Sequence, residues 1–284
     1  MSEFLGIYRE SICSPGRHRE NDPVILELVA GELERRGHAV RLTPPEDVGR
    51  IATSTSTIFS MSRSPRLLKL LARWAAEGRT VVNRPDRVLA TARSQLVHRT
   101  LGSVAFPSCQ VVPTARAARS GVQAVDGDWW VKGGDLHASR HEDVQRLGTM
   151  EELGRVLNDF ERRGIVTAVL QEHVPGREIK FYAVRGDFFY WLEADNPAIH
   201  GTSVEPFQTC ALESGAALSL DIFGGELVIG EDGRTTLIDL NDWPSFAPCR
   251  DAAARAIARH LELRAFDPYA ASSPARSLTP SASA

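Results

Sequence analysis

The feature that most constrains this chain is a pair of strand-like runs, LDIFGGELVI and TTLIDLN, separated by the turn-forming segment GEDGR. Two short apolar runs around an Asp-Gly turn predict an antiparallel hairpin. Because side chains alternate along a strand, Asp239 and Asn241 face the same side, and Glu226 on the partner strand can oppose them. Two carboxylates and an amide oxygen on one face form a hard oxygen site suited to Mg²⁺. The alternative is a solvated polar face, where acidic residues usually lie.

A second segment, WWVKGGDLHAS, places Lys132 at the end of an apolar strand, before a Gly-Gly loop that carries Asp135 and His137. A lysine in this position can reach a phosphate as a point charge, and the glycines let backbone amides approach the same anion. The alternative is a surface lysine beside a common Gly-Gly turn.

A third segment, VLQEHVPGREIKFYAV, runs from an apolar strand through a Pro-Gly turn into a second strand. Glu178 and Lys180 share one face of that second strand, since they lie two residues apart. An acceptor for sugar hydroxyls and a donor for phosphate would therefore line one cleft. A cross-strand salt bridge is the alternative.

The N-terminal part of the chain predicts a parallel sheet, because FLGIY, VILELVAGELERRG and HAVRL follow the order strand, helix, strand. Ligands of such sheets tend to lie beyond the carboxyl ends of the strands. The turn-rich loop from Ser14 to Asn21 occupies one of these ends, and it carries Arg17, His18 and Arg19. A solvated charged loop is the alternative interpretation.

Composition changes along the chain predict three regions. Residues 1–105 form an N-terminal α/β domain, whose last helix is expected over PDRVLATARSQLVHRTLG. Residues 106–265 form an α+β region with an antiparallel sheet and helices near 150–164 and 252–263. Residues 266–284 are rich in Ser, Ala and Pro, and we expect a disordered tail.

The order of these segments, from Arg84 to Leu263, resembles the ATP-grasp superfamily, whose fold includes an N-terminal parallel α/β domain called the pre-ATP-grasp domain. Within it the chain is most similar to the inositol 1,3,4-trisphosphate 5/6-kinases, with the carboxylate-amine ligases as wider relatives. In those kinases a histidine follows the nucleotide lysine by five residues, as His137 follows Lys132. Their metal strands read FG-x-acid and D-x-N-x-x-P, as FGGE and DLNDWP do in this chain.

The resemblance implies roles for individual residues. ATP would be bound by the side chains or backbone of Arg93, Lys132, Gln171, Glu172, His173, Val174 and Glu178. The backbone of Glu172, His173 and Val174 would form the hinge strand that meets adenine, and Glu178 would contact the ribose. The transferred phosphate would be held by His137 and Lys180, and magnesium by Glu226, Asp239 and Asn241.

Two departures concern the substrate. Where those kinases have a basic N-terminal loop with a lysine, TIFSMSRSP offers Arg63 and Arg66, and the segment between the QEHV strand and the metal strands is short. We take Arg17, His18, Arg19 and Arg63 as candidate substrate anchors, because basic side chains match phosphate or carboxylate oxygens.

Three functions are compatible with these residues. The first is a kinase, a transferase that moves the γ-phosphoryl of ATP to a hydroxyl of a small anionic substrate, with His137 as a possible base. The second is an ATP-dependent carboxylate-amine ligase that forms an acylphosphate. The Lys132-to-His137 spacing and the Asp of D-x-N favour the kinase. A nucleotide-binding protein without turnover is disfavoured, since every expected lysine and metal position is filled.

Charge and cysteine content limit the partners and the compartment. The 33 Lys and Arg residues nearly balance 36 Asp and Glu, so composition gives no case for a nucleic-acid or membrane-surface protein. The 4 cysteines are far apart, which suits neither a zinc cluster nor a disulfide framework. No signal peptide or apolar run of about 20 residues is present, so we expect a cytoplasmic protein. The partner that we expect is a small anionic substrate. The oligomeric state is left open.

Overall fold

The computed structural model of the chain describes residues 1–11, 18–51, 55–98, 104–115, 127–134, 141–202 and 206–267. Its strands in chain order are β1 (Glu3–Ile7), β2 (Ala39–Thr43), β3 (Thr57–Ser60), β4 (Thr80–Val82), β5 (Cys109–Pro113), β6 (Trp129–Gly133), β7 (Val144–Leu147), β8 (Thr167–Glu172), β9 (Arg177–Val184), β10 (Phe188–Glu193), β11 (His200–Gly201), β12 (Ile222–Ile229) and β13 (Thr235–Asp242). Its α-helices are α1 (His18–Arg35), α2 (Pro65–Ala76), α3 (Pro85–Ala90), α4 (Arg93–Leu96), α5 (Met150–Arg162), α6 (Pro206–Ala217) and α7 (Arg250–Phe266). The predicted disordered tail lies outside the described residues from residue 268 onward.

The N-terminal sheet is parallel, as predicted, with the strand order β2-β1-β3-β4. Its two faces are covered by different helices. Phe4 and Phe59 pack in a core with α1 and α7, whereas Leu5 and Ile58 pack on the other face with α2. Because both faces are buried, β1 carries the apolar run FLGI, and all four residues of β3 are buried, with apolar Ile58 and Phe59 at its centre.

The central sheet has five antiparallel strands in the order β11-β10-β9-β12-β13. One face packs against α6 around Phe181, Phe223 and Leu240. The Gly-Gly pair of β12 is required by this packing. A Cβ on Gly225 would lie 2.8 Å from the ring of Phe181, and one on Gly224 would lie 2.9 Å from Pro244. Strands β9, β12 and β13 therefore approach one another closely where the polar residues lie.

A separate four-stranded sheet has the order β5-β8-β6-β7 and is covered by α5. Helix α5 begins with a capping box, in which Thr149 accepts from the amide of Glu152 and the Glu152 carboxylate accepts from the amide of Thr149. The expected antiparallel region thus forms two sheets. Periodicity alone cannot tell which strands pair, and the short strands β7 and β11 and helix α6 were not predicted.

The structure corrects two further predictions. The helix expected over residues 85–102 is divided into α3 and α4, because Ala92 has extended backbone angles and Thr91 bonds through its hydroxyl to the carbonyl of Val88. The loop expected up to Asn21 is also wrong in its second half. Helix α1 begins at His18 and continues through Pro23, the sixth residue of the helix, which has no amide to donate to the backbone carbonyl four residues before it.

The parallel sheet and the central sheet are joined by specific polar contacts. The Asn83 side chain donates to the carbonyl of Ile222 at 2.6 Å and accepts from the amides of Asp221 and Ile222 at 2.8 and 3.0 Å. Arg9 donates to the carbonyl of Trp243 at 2.6 Å. Helix α7 completes the core of the N-terminal sheet, so a domain boundary near residue 105 would not separate two independent cores. The boundary itself stays a prediction.

No helix within the described ranges is long and apolar enough to span a bilayer.

Candidate functional site

A row of charged side chains crosses three strands of the central sheet. In the strand register, Lys180 of β9 is opposite Glu226 of β12, and Glu226 is opposite Asp239 of β13. The Nζ atom of Lys180 lies 3.1 Å from Oε1 of Glu226. Asn241, on the same face as Asp239, donates its Nδ2 to Oδ2 of Asp239 at 3.2 Å. The predicted pairing of the two strands is confirmed.

Positive charges surround Asp239. Burial alone would raise the pKa of this carboxyl, but the charges of Arg93 and Lys132 and hydrogen bonds from Asn241 and the Leu240 amide hold the pKa below its ordinary value. The Nη2 atom of Arg93 lies 3.9 Å from Oδ2 of Asp239. Asp239 is therefore ionised at neutral pH, and its charge is available to a cation.

Lys132 approaches the same place from the other antiparallel sheet. Its side chain is buried, and Nζ donates to the carbonyl of Ile238 at 3.1 Å. Burial lowers the pKa of Lys132, while the charge of Asp239 acts in the opposite direction. Gln171 of β8 donates to the same Ile238 carbonyl at 3.2 Å. Arg93, from α4, also reaches the carbonyl of Gly133 at 3.4 Å, so three side chains connect this sheet with β13.

The predicted nucleotide segment 171–174 lies at the end of β8. The amide of Glu172 donates to the carbonyl of Ser108, and the amide of His173 donates to the carbonyl of Asp128. The ring of His173 accepts from the indole of Trp130 at 3.1 Å. Burial lowers the pKa of His173, and the charge of Arg146 acts in the same direction. Of the three amides that we expected to meet adenine, two are already hydrogen-bonded within the protein.

Glu178 lies on the same face of β9 as Lys180, two residues before it, and opposite Val228. Burial raises the pKa of Glu178, and the neighbouring Glu226 carboxylate raises it further. This carboxyl accepts a proton more readily than an exposed glutamate does. Glu178 and Lys180, the two residues expected to line a cleft, share a face of the sheet with Glu226 and Asp239.

The candidate substrate anchors have different surroundings. Arg63 is mostly buried, with Nη1 3.5 Å from Oδ1 of Asp242 and Nη2 donating to the Thr91 hydroxyl at 3.0 Å. Asp242 lies on the opposite face of β13 from Asn241, away from the carboxylate pair. Arg63 is thus held by an ion pair inside the protein. Its contact with substrate stays a prediction. His18 and Arg19 lie in the first turn of α1. Arg17 and His137 fall outside the described residues, as do the side chains of His18 and Arg19.

Sequence analysis missed two neighbours of this site. Tyr182 continues the same-face series of Glu178 and Lys180, and the alternation of β9 could have identified it. Burial raises the pKa of Tyr182 to about 12, so its hydroxyl stays protonated. Cys109 lies opposite Gln171 in the register of β5 and β8, and no local pattern indicated it. Trp243, which follows β13 directly, is fully buried and stacked on Phe59, so it belongs to the core and not to the site.

The donor atoms of the carboxylate pair fit Mg²⁺ by their chemistry. Glu226 and Asp239 supply hard carboxylate oxygens, and Asn241, whose amide nitrogen is turned to Asp239, keeps its amide oxygen as an acceptor. The described part of the chain holds no group of three or more His, Cys, Asp or Glu side chains that could bind a metal. A site with only two carboxylates leaves positions for phosphate oxygens and water, as Mg²⁺ requires.

Comparison with known proteins identifies the fold. No protein-family model matches the chain, and no curated protein does. A RimK domain ATP-grasp protein from Sphaerobacter thermophilus is 17% identical with a TM-score of 0.63, and the match covers 91% of this chain and 99% of that one. D-alanine–D-alanine ligase from Bacillus anthracis is 10% identical with a TM-score of 0.66 over 94% and 100%. The ATP-grasp ligase PsnB, bound to a minimal precursor, Mg and ADP, is 13% identical with a TM-score of 0.63 over 92% and 97%.

These similarities extend over nearly the whole chain, and they establish that it has the ATP-grasp fold with an N-terminal parallel α/β region. At such identities they show the fold and no activity.

Proposed function

We propose that the chain is an ATP-dependent ligase that activates a carboxylate as an acylphosphate and joins it to an amine. The observation that carries this proposal is the row of Lys180, Glu226 and Asp239, which Lys132 and Arg93 complete from outside the sheet. Two carboxylates for magnesium and three cations for phosphate oxygens in one place suit phosphoryl transfer from ATP.

The proposed reaction has two steps. An oxygen of the acceptor carboxylate attacks the γ-phosphorus of ATP, the bond from that phosphorus to the bridging oxygen breaks, and ADP leaves. The amine nitrogen then attacks the carbonyl carbon of the acylphosphate, phosphate leaves with the electrons of the C–O bond, and the nitrogen loses a proton. Atoms and charges balance, and the products are an amide, ADP and phosphate.

The residues have separate parts in this reaction. Lys132, Arg93 and Lys180 place positive charge where the phosphate oxygens gain negative charge. Magnesium held by Glu226, Asp239 and Asn241 would neutralise further phosphate charge. Glu178, on the face that carries Lys180, is the proposed acceptor for the ribose hydroxyls.

The adenine contact is proposed for the backbone of residues 172–174. Because the amides of Glu172 and His173 are bonded to Ser108 and Asp128, the Val174 amide is the donor in this segment that we assign to the adenine ring. The ring of His173, held by Trp130, would then border the base.

The ligase interpretation fits the named structural neighbours better than the kinase interpretation does. Two of the three are ligases by name, one of them in complex with Mg and ADP, and a further structure of the Bacillus anthracis ligase contains ATP. The kinase remains the second candidate, because the five-residue spacing from Lys132 to His137 favours it.

A single experiment separates the two functions. The protein is incubated with Mg-ATP and either amino acids and short peptides or phosphorylated polyols, ADP release is followed, and phosphorus products are identified by NMR. A ligase gives one free phosphate per ADP, and only when a carboxylate and an amine are both present. A new phosphate ester without free phosphate would establish the kinase and overturn the proposal.

A further inference from the structure

The carbonyl of Ile238 occupies an unusual place in the sheet. Glu226 pairs with Asp239, but the next pair along the strands is Leu227 with Leu237, so a β-bulge leaves Ile238 without a partner on β12. Strand β13 is also at the edge of its sheet. The carbonyl of Ile238 is therefore free to accept hydrogen bonds from outside the sheet, directly beside Asp239.

Two donors from the other antiparallel sheet use this carbonyl. Lys132 Nζ lies 3.1 Å from the oxygen and Gln171 Nε2 lies 3.2 Å from it. The two side chains are diagonal neighbours on β6 and β8, since Lys132 pairs with Val169 and Gln171 pairs with Trp130. Both are buried, with 8% and 3% of their surface exposed. A carbonyl oxygen has two lone pairs, so it accepts both bonds at once.

The double contact has a consequence for Lys132. If Lys132 binds phosphate, as the proposed function requires, its ammonium group turns away from Ile238. Ile238 is partly buried, and a polar group in such a place that loses its protein donors is destabilised, whereas one that keeps a second donor stays hydrogen-bonded. Gln171 is the donor that remains.

We propose that Gln171 is a positioning residue, which keeps the Ile238 carbonyl hydrogen-bonded when Lys132 turns to the nucleotide phosphates. Gln171 thereby lowers the cost of releasing Lys132 and holds the backbone next to Asp239 in place. The resemblance implied a contact between Gln171 and ATP; this proposal instead has Gln171 act through Ile238 and Lys132. The part that concerns nucleotide binding rests on the proposed function.

The shared acceptor is tested first without nucleotide, by thermal unfolding of Lys132→Met, Gln171→Met and the double variant. Each single variant leaves the carbonyl one donor, so its melting temperature changes little through this contact. The double variant leaves none, and we expect its melting temperature to fall by about 3 °C or more beyond the sum of the single shifts. The proposal would be overturned if the melting-temperature shifts of the single variants add up to that of the double variant, or if Gln171→Met alone lowers the melting temperature as much as the double variant does.

Nucleotide binding is tested second, by calorimetry with Mg-ATP. Because Lys132 must abandon an otherwise unbonded carbonyl in Gln171→Met, we expect its Kd to rise about tenfold, which corresponds to ~1.4 kcal/mol. The matched control is Gln145→Met, which removes a donor to the exposed carbonyl of Glu142 in the same sheet and should leave the Kd unchanged. An unchanged Kd in Gln171→Met contradicts the proposal.

The two measurements distinguish failure of the proposed function from failure of the proposed role of Gln171. If the wild-type chain binds no Mg-ATP, the proposed function fails, while the thermal cycle still decides whether Lys132 and Gln171 share the carbonyl. If Gln171→Met does not fold, Gln171→Leu takes its place in both measurements, and loss of folding in both variants would assign Gln171 to structure alone.

Discussion

Glu226 and Asp239 lie opposite each other on β12 and β13, so two carboxylates share one face of the central sheet at neighbouring positions. Like charges in this relation repel each other, and each is accompanied by a cation: Lys180 beside Glu226, and Arg93 beside Asp239. The arrangement therefore places carboxylate oxygens between basic groups, and the packing of β9, β12 and β13 maintains it.

Asp239→Asn should abolish turnover and preserve the fold, because the substitution removes a charge from the proposed magnesium site without adding bulk. We expect ADP release to fall by about 100-fold or more. Circular dichroism should remain that of the wild type. Glu231→Gln, which changes an exposed carboxylate in the turn after β12, serves as the control and should retain full activity. Substantial ADP release by Asp239→Asn would remove this residue from the metal site.

Gly225→Ala should destabilise the protein, since the added methyl would lie 2.8 Å from the ring of Phe181 and closer still to the Asp239 carbonyl. Overpacking of this kind costs about 1–3 kcal/mol, and urea unfolding would measure it. Gly154→Ala in α5 is the control, because a Cβ there meets no atom within 4 Å. Alanine in a helix is favoured over glycine, so the control should be neutral or more stable. Equal stability of both variants would contradict the close approach of β12 and β13.

Arg63→Gln should lower stability before any substrate is present, because it leaves the buried Asp242 carboxylate without its ion-pair partner. Removing one partner of a buried pair typically costs about 3–5 kcal/mol. Arg66→Gln, at an exposed position of α2, is the comparison and should leave the unfolding free energy unchanged. If Arg63→Gln instead raises KM while unfolding as the wild type does, the predicted role of Arg63 as a substrate anchor is the better account.

Stability should depend on Glu10 in a defined pH range. Burial would raise the pKa of this carboxyl, but bonds from the Ser62 hydroxyl and the amides of Arg63 and Ser64 hold the pKa below its ordinary value. A depressed pKa means that the stabilisation is present above the unfolded-state pKa and is lost as pH falls through the folded-state pKa. Glu10→Gln should therefore be less stable than the wild type by about 1–2 kcal/mol at pH 7.

The difference between Glu10→Gln and the wild type should shrink as the pH falls below the ordinary glutamate pKa of about 4.3, and should vanish once the pH passes the lowered pKa of the folded state. Urea unfolding between pH 3 and pH 7 gives both free energies. Glu77→Gln, at the exposed end of α2, should follow the wild type throughout. A difference that is independent of pH would mean that packing, and not the charge of Glu10, is responsible.

Local periodicity determined much of this protein. Alternation along β13 placed Asp239 and Asn241 on one face, the Asp-Gly turn placed Glu226 on the adjacent strand, and the order of apolar segments predicted a parallel N-terminal sheet. These features depend on neighbours in sequence or on a single turn, so the chain itself encodes them. The length of β12 and β13 also followed from their apolar runs.

Only the tertiary structure decided which groups meet the site. The bulge at Ile238 shifts the register by one residue and frees a carbonyl for Lys132 and Gln171, and no alternation pattern reveals such a shift. The partner of Arg63 on β13 and the place of α7 in the N-terminal core also depend on contacts between residues far apart in sequence. A local pattern specifies which way a side chain faces, but the atom it meets is fixed only when separate elements pack together.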